Sequence, residues 1–241
     1  MTTNSKLTIV IPAKNEAKLL PRLLDSLARQ DYSPIRDTKV YVADAGSTDG
    51  TPDIARSFAG RLDIEVIPGG MPSVGRNAGA RRAATPYVLF IDADIELDDP
   101  TLVRRAVELM ERKRLHCVTT NIRCPQGEIL DRFLYEGNNV MQWLSRLYRP
   151  FSTGMFMLFD RQQFMWLGGF HEQAQFAEDY LLSQKVARRR FCIVSGRVLT
   201  TNRRFQKMGH FRLVRLFLNT ALHTWTESFF LRDHKYWEGQ A

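Results

Sequence analysis

Leu7 to Ile11 is a short, mostly apolar run of the kind that fills a buried strand, and Leu19, Leu20, Leu23, Leu24 and Leu27 then recur at helical spacing. The chain opens as strand, loop and helix. The pattern repeats with Lys39 to Ala43, which feeds a loop rich in Gly, Ser, Thr and Asp and then a helix from Pro52. Leu62 to Ile67 likewise feeds a loop and a helix from about Gly75 to Ala84, and Tyr87 to Ile91 is a fourth apolar run that stops at Asp92. Strands alternating with helices predict an α/β fold, a mostly parallel open sheet flanked by helices. In such a sheet ligands gather at the carboxyl ends of the strands, so the loops starting at Pro12, Asp44, Pro68 and Asp92 should meet in one crevice.

The second half is less regular. A helix near Asp98 to Lys113 leads to a strand near Cys117 to Ile122, a helical stretch from Ile129 to Leu147, an apolar run from Met155 to Phe159, a helix over Tyr180 to Arg189 and a strand over Cys192 to Val198. No low-complexity linker divides the halves, so residues 1–205 are expected to form one domain. Residues 206–241 read as a basic helical appendage: Val214, Phe217, Leu218, Ala221, Leu222 and Trp225 share one face, with Arg212, Arg215, Asn219 and His223 on another. This C-terminal amphipathic helix can pack on the domain or lie on a membrane surface. It is too short to cross a bilayer, since its longest charge-free run, Leu216 to Thr226, falls well below the ~20 residues a spanning helix needs.

Charge sharpens that picture. The net charge is +8, yet residues 1–187 carry 23 basic and 23 acidic side chains, so the whole excess, eleven basic against three acidic, lies in residues 188–241. Such a basic end suits anionic lipid heads or diphosphates, with nucleic acid the third chemical option. Cys117, Cys124 and Cys192 include no C-x-x-C pair, which argues against a disulfide framework and a thiol-rich zinc site and fits a reducing compartment. The apolar run ended by Pro12 is too short for a signal peptide core, so the expected location is the cytoplasm, with the inner face of the membrane as the second option.

Candidate chemistry sits where the strands end. Asp92-Ala93-Asp94 follows a fully apolar strand, and paired carboxylates there suit a hard cation, Mg²⁺ or Mn²⁺, shared with substrate phosphate oxygens. A helix cap or turn is the competing reading. The loop Asp44-Ala45-Gly46-Ser47-Thr48-Asp49-Gly50 combines a carboxylate able to accept from a base or ribose with glycines that allow close backbone approach. Glu178-Asp179 can be a first-turn acidic pair or a proton acceptor. Arg203 and Arg204 offer bidentate forks for a diphosphate.

The ordered set I-P-A-K-N-E, D-A-G-S-T-D-G, V-G-R-N-A-G, D-A-D, G-G-F and E-D closely resembles the inverting glycosyltransferases of family two, with the GT-A fold, over about residues 7–205. The resemblance implies a nucleotide-binding half over about 1–115 and an acceptor-binding half over about 116–205. It also implies a nucleotide-diphospho-sugar donor, most often a UDP-sugar, and an acceptor glycan, lipid or small molecule, with no nucleic acid as partner. On this sequence it would set Pro12, Ala13 and Glu16 beside the nucleotide, Asp44 on the base, and Arg76 near base or diphosphate. Asp92 would serve the ribose and the metal's surroundings, Asp94 would bind the metal, and His210 is a further candidate ligand. Gly168, Gly169 and Phe170 would border the sugar and acceptor pocket with Glu178, and Asp179 would be the catalytic base. One departure is Ala45, which stands where relatives often carry a second acid. Two other classes compete: a nucleotidyltransferase on a related sheet, and a non-enzymatic basic lipid-binding module that would leave Asp92, Asp94 and Asp179 without a role. A dinucleotide-binding dehydrogenase is disfavoured because the first loop lacks the glycine fingerprint.

Overall fold

The computed structural model describes residues 5–223 and 226–234. Its seven strands are β1 (Leu7–Ala13), β2 (Lys39–Asp44), β3 (Asp63–Pro68), β4 (Tyr87–Ile91), β5 (Cys117–Arg123), β6 (Phe156–Asp160) and β7 (Phe191–Leu199). They form one sheet in the order β3-β2-β1-β4-β6-β5-β7. Parallel ladders join β1 to β2 and β4, β2 to β3, and β5 to β7, whereas β6 runs antiparallel to both of its neighbours. The fold is therefore the expected mostly parallel α/β sheet, and both halves of the chain share it. Because Ile91 pairs with Phe156, the start of β6 lies level with the end of β4, at the edge where the parallel strands terminate.

Ten helices complete the described chain: α1 (Leu20–Ala28), α2 (Thr51–Ser57), α3 (Pro72–Arg82), α4 (Leu102–Lys113), α5 (Ile129–Ser145), α6 (Arg161–Trp166), α7 (Glu178–Ser183), α8 (Arg203–Met208), α9 (His210–Leu222) and α10 (Glu227–Phe230). Leu7, Ile9 and Ile11 of β1, with Leu89 and Ile91 of β4, pack against leucines of α1 and the apolar stripe of α4. On the other face Val10, Val88, Phe90, Met157 and Phe159 meet Ala80 of α3, Phe164 of α6 and Leu182 of α7. Burial on both faces explains why these strands read as unbroken apolar runs.

α3 lies unusually close to the sheet. A side chain at Gly79 would put its Cβ 2.4 Å from Val10 Cγ1, and one at Gly75 would stand 3.0 Å from the Ala43 Cβ. These two glycines, one turn apart, set the depth at which the helix carries Arg76 and Asn77 into the interior.

Two expected elements differ. The helix expected over Tyr180 to Arg189 is confined to α7; the Ser183 hydroxyl donates back to the Tyr180 carbonyl (3.0 Å), and Val186 then leaves the helix for the core. In the appendage α9 stops at Leu222, and its buried side chains include Leu213, Leu216 and Thr220. Phe217, Leu218 and Leu222, assigned by periodicity to the packing face, are exposed instead, and Trp225 lies outside the described residues. Apolar residues occur around much of this helix, so periodicity had no unique face to choose; the contact of Leu216 with Phe176 and Phe230 decides it. No helix among the described residues is long and apolar enough to cross a membrane.

Candidate active site

Arg76 is the hub of the crevice. Only 3% of its side chain is exposed, and it donates through Nη1 to Glu178 Oε1 and through Nη2 to Asp92 Oδ1, each at 2.5 Å. Its guanidinium also lies 5.2 Å from the centre of the Phe170 ring. Burial works against its charge, yet Asp92, Glu178 and Asp179 together lift its pKa above the usual arginine value. The next residue, Asn77, clamps the Gly-Gly-Phe turn. Its Oδ1 accepts the Phe170 N–H (3.0 Å) and its Nδ2 donates to the Phe170 carbonyl (2.8 Å). Gly168 and Gly169 have φ of +88° and +67°, and a Cβ on Gly169 would stand 2.8 Å from Asn77 Oδ1. The turn needs glycine on both counts.

Asp179 is held from two sides: the Tyr180 N–H donates to its Oδ1 (2.7 Å) and the Gly154 N–H to its Oδ2. Gly154 precedes β6, and a Cβ there would come within 2.6 Å of Arg76 Nη2 and 3.3 Å of Asp179 Oδ2. Burial, then the neighbouring Glu178 charge, outweigh Arg76 and raise the Asp179 pKa to about 7. The carboxyl is thus poised to take or keep a proton near neutrality.

On the other flank Arg203 bridges two acids. It donates to both Glu16 oxygens (2.6 and 3.1 Å) and to Asp94 Oδ2 (3.1 Å). It arrives there because Glu96, just past the DAD loop, exchanges two backbone hydrogen bonds with Leu199 at the end of β7 (2.9 Å each). Burial foremost, with Asp92 second, raises the Asp94 pKa against the pull of Arg204 and Arg203. Burial also leads in raising Glu16, with the Arg203 hydrogen bond opposing.

Asp44 ends β2, and its carboxylate takes hydrogen bonds from the Gly46 and Ser47 N–H groups and from the Ser47 hydroxyl. Ser47 Oγ in turn accepts the Asn15 N–H (2.9 Å), and Asn15, at φ +53°, returns its Oδ1 to the Thr48 N–H. The Glu16 N–H is taken by Thr51 Oγ1 (2.9 Å). Thus Asp44, Glu16, Arg203, Asp94, Asp92, Arg76 and Glu178-Asp179 follow one another through these hydrogen bonds and through the chain itself, which joins Asn15 to Glu16 and Asp92 to Asp94.

Other expected residues fall elsewhere. His210 was a candidate metal ligand beside Asp94; its Nε2 instead pairs with Asp131 Oδ1 of α5 (2.5 Å), whose other oxygen accepts from Asn202 (2.8 Å) and from the Glu128 N–H (2.8 Å). Phe170, expected at the rim of the sugar pocket, is buried beneath Arg76 and against Phe90. Gly168, Gly169 and Phe170 together border a separate cleft of about 390 Å³ with Asn77 and Arg81, which contains none of the site's aspartates. Pro12 and Ala13 end β1 beside Asp44, and Arg204 follows Arg203 at the start of α8. Sequence reasoning missed Gly154, whose available signal was a glycine directly before an apolar strand, and gave no role to Asn15, Ser47 and Asn77, although each lies in one of the quoted motifs.

A family model for glycosyl transferase family 2 matches residues 8–171, well over half of the chain. The chain belongs to glycosyl transferase family 2. Validoxylamine A glucosyltransferase of Streptomyces hygroscopicus subsp. jinggangensis is 42% identical over 93 residues, 37% of this chain and 22% of that protein. The chain therefore spans only part of this relative's length. The mannosyltransferase PcManGT of Pyrobaculum calidifontis, solved with GDP-Man and Mn²⁺, superposes with a TM-score of 0.69 over 95% of this chain and 73% of its own, at 21% identity. TarS of S. aureus (residues 1–349), solved with UDP-GlcNAc, gives 0.66 over 82% of this chain and 58% of its own, at 20% identity. These structures share the GT-A sheet.

Proposed function

We propose that this family-two chain moves a sugar from a nucleotide-diphosphate donor to an acceptor hydroxyl by a single displacement, inverting the anomeric carbon. The observation that carries the reading is Asp179, a carboxyl with a pKa of about 7, cradled by the Gly154 and Tyr180 amides and next in the chain to Glu178, which Arg76 ties to Asp92 just past β4. An acceptor hydroxyl needs such a base within hydrogen-bond reach as the new bond forms. A retaining double displacement would ask a second carboxylate to act as nucleophile, and Glu178, the nearest, is engaged by Arg76.

In this reading Pro12, Ala13, Glu16 and Asp44 border the nucleotide, and Arg203 and Arg204 move from Glu16 and Asp94 to the diphosphate as it enters. Asp94 beside Asp92 fits Mg²⁺ or Mn²⁺, which is commonly held by one or two carboxylates plus phosphate oxygens. Among the described residues no group of three His, Cys, Asp or Glu side chains could hold a metal, so phosphate oxygens and water would supply the ligands beyond these aspartates. When bound, the cation neutralises charge growing on the departing nucleoside diphosphate. Arg76 holds Asp92 and Glu178 in place through its two hydrogen bonds, and Asp179 takes the hydroxyl proton. A UDP-sugar is the first donor to try, since TarS was solved with UDP-GlcNAc, with GDP-Man, seen on PcManGT, the second. A lipid-linked acceptor is supported by the exposed Phe211, Phe217, Leu218 and Leu222 of α9 beside Arg212 and Arg215, which give residues 206–241 a surface for peripheral membrane contact at the cytoplasmic leaflet.

Incubation with UDP-, GDP- and dTDP-sugars, with and without Mn²⁺, tests the reading. Release of nucleoside diphosphate and an inverted anomer by NMR are expected; release of pyrophosphate would assign nucleotidyl transfer instead.

A further inference from the structure

α5 is turned inside out. Its buried side chains are the polar Asp131, Asn139 and Gln142, and each is used by the fold. Asn139 exchanges two hydrogen bonds with the Ile122 backbone (2.9 and 2.8 Å), Gln142 donates to the Thr120 carbonyl (3.1 Å), and Asp131 receives Asn202 and His210. The solvent side is apolar: Ile129 is 88% exposed and Phe133 72%, and Val140, Trp143, Leu144 and Leu147 continue the stripe to Tyr148 at 76%. A capping box secures the first turn of this helix. An amphipathic helix ordinarily buries its apolar stripe, and an exposed one of this length marks a surface that another body covers.

Charge identifies the body. Arg188, Arg189 and Arg190 stand exposed at the end of the stripe, with Arg188 Nη1 on the Leu147 carbonyl (3.2 Å). The acids exposed on α5 are Glu128, whose carboxylate caps the first turn, and Glu136, which is paired with Arg197. Both are engaged, so a second copy of the chain would bring no unengaged acid of α5 to meet the arginine triad. Anionic headgroups meet it, while Phe133 and the aliphatic stripe enter the acyl boundary and Trp143 and Tyr148 sit at headgroup level. We propose that the solvent face of α5, with the arginine triad at its end, seats the protein on an anionic bilayer surface. This seat is separate from the transfer reaction and from the exposed residues of α9.

Co-sedimentation with vesicles of phosphatidylcholine alone, or mixed with phosphatidylglycerol, tests it. The parent should partition onto the anionic vesicles and be released by salt. Phe133→Ser/Trp143→Ser should lower partitioning roughly tenfold or more, since two apolar anchors are lost. Arg188→Ser/Arg189→Ser should remove the preference for the anionic vesicles. Unchanged thermal midpoints identify folded variants, as all of these side chains are solvent-exposed. The proposal is overturned if the parent ignores anionic vesicles, if the α5 variant partitions like the parent, or if light scattering shows a parent dimer that the α5 variant dissociates.

Discussion

At the scale of single residues, the site is a set of buried charges that hold one another. Arg76→Ala would leave Glu178 and Asp92 without their shared cation, and the expected cost is about 3–5 kcal/mol, read from denaturant unfolding. Asp179→Asn should lower the turnover number by about 10²–10⁴-fold while leaving the donor Kd nearly unchanged, which single-turnover and calorimetric measurements separate. The pKa of Asp179 also gives two signed expectations. Its folded value is raised from 3.8 to about 7, so the protonated acid is the form the fold favours. Activity should fall as pH drops through about 7, because a protonated acid accepts nothing. The stability contributed by this group is complete below 3.8 and is lost as pH rises through about 7. The melting-temperature difference between Asp179→Asn and the parent should therefore move in the variant's favour from pH 4 to pH 8, and a constant difference would remove the perturbed carboxyl from the account. Asp92, Asp94, Arg76 and Asp179 were all visible in the sequence as motif residues. The pairings among the candidate residues were not, since Glu178 to Arg76 and Glu16 to Arg203 span 102 and 187 positions.

At the scale of elements, packing depth decides whether those charges meet. α3 approaches β1 at Gly79, where Ala would drive its Cβ into Val10; a loss of about 1–3 kcal/mol is expected for Gly79→Ala, with a lowered thermal midpoint as the readout. Gly154→Ala should behave differently. Its Cβ would displace Arg76 Nη2 and crowd Asp179 Oδ2, so catalysis should fall further than stability does. Hydrophobic periodicity found the strands and the helix of α1 because their burial is continuous or one-sided. It failed on α9, apolar on several sides, and on the length of α7, where a serine hydroxyl competes for the helix's own carbonyl.

At the scale of the molecule, the C-terminal elements brace the segment that carries Asp179. Phe230 is fully buried and stacks at 6.3 Å on Tyr180, the residue after Asp179, while Phe151 approaches Tyr180 from elsewhere at 5.9 Å. Phe230→Ala should cost roughly 3 kcal/mol in unfolding and lower the turnover number more than donor affinity, since Phe230 stacks on Tyr180 beside Asp179. The amino-acid order by itself determined the alternation of strands and helices, the edge at which the ligand loops end, and the acids placed there. All of these are local consequences of apolar runs, their periods and the polar residues that interrupt them. Only the tertiary structure decided that β6 enters antiparallel and delivers the Gly154 amide to Asp179, that Arg203 crosses to Glu16 and Asp94, and that His210 turns to Asp131. Those pairings join segments far apart in the chain, and no local period encodes which of several equally charged partners will be level once the sheet is assembled.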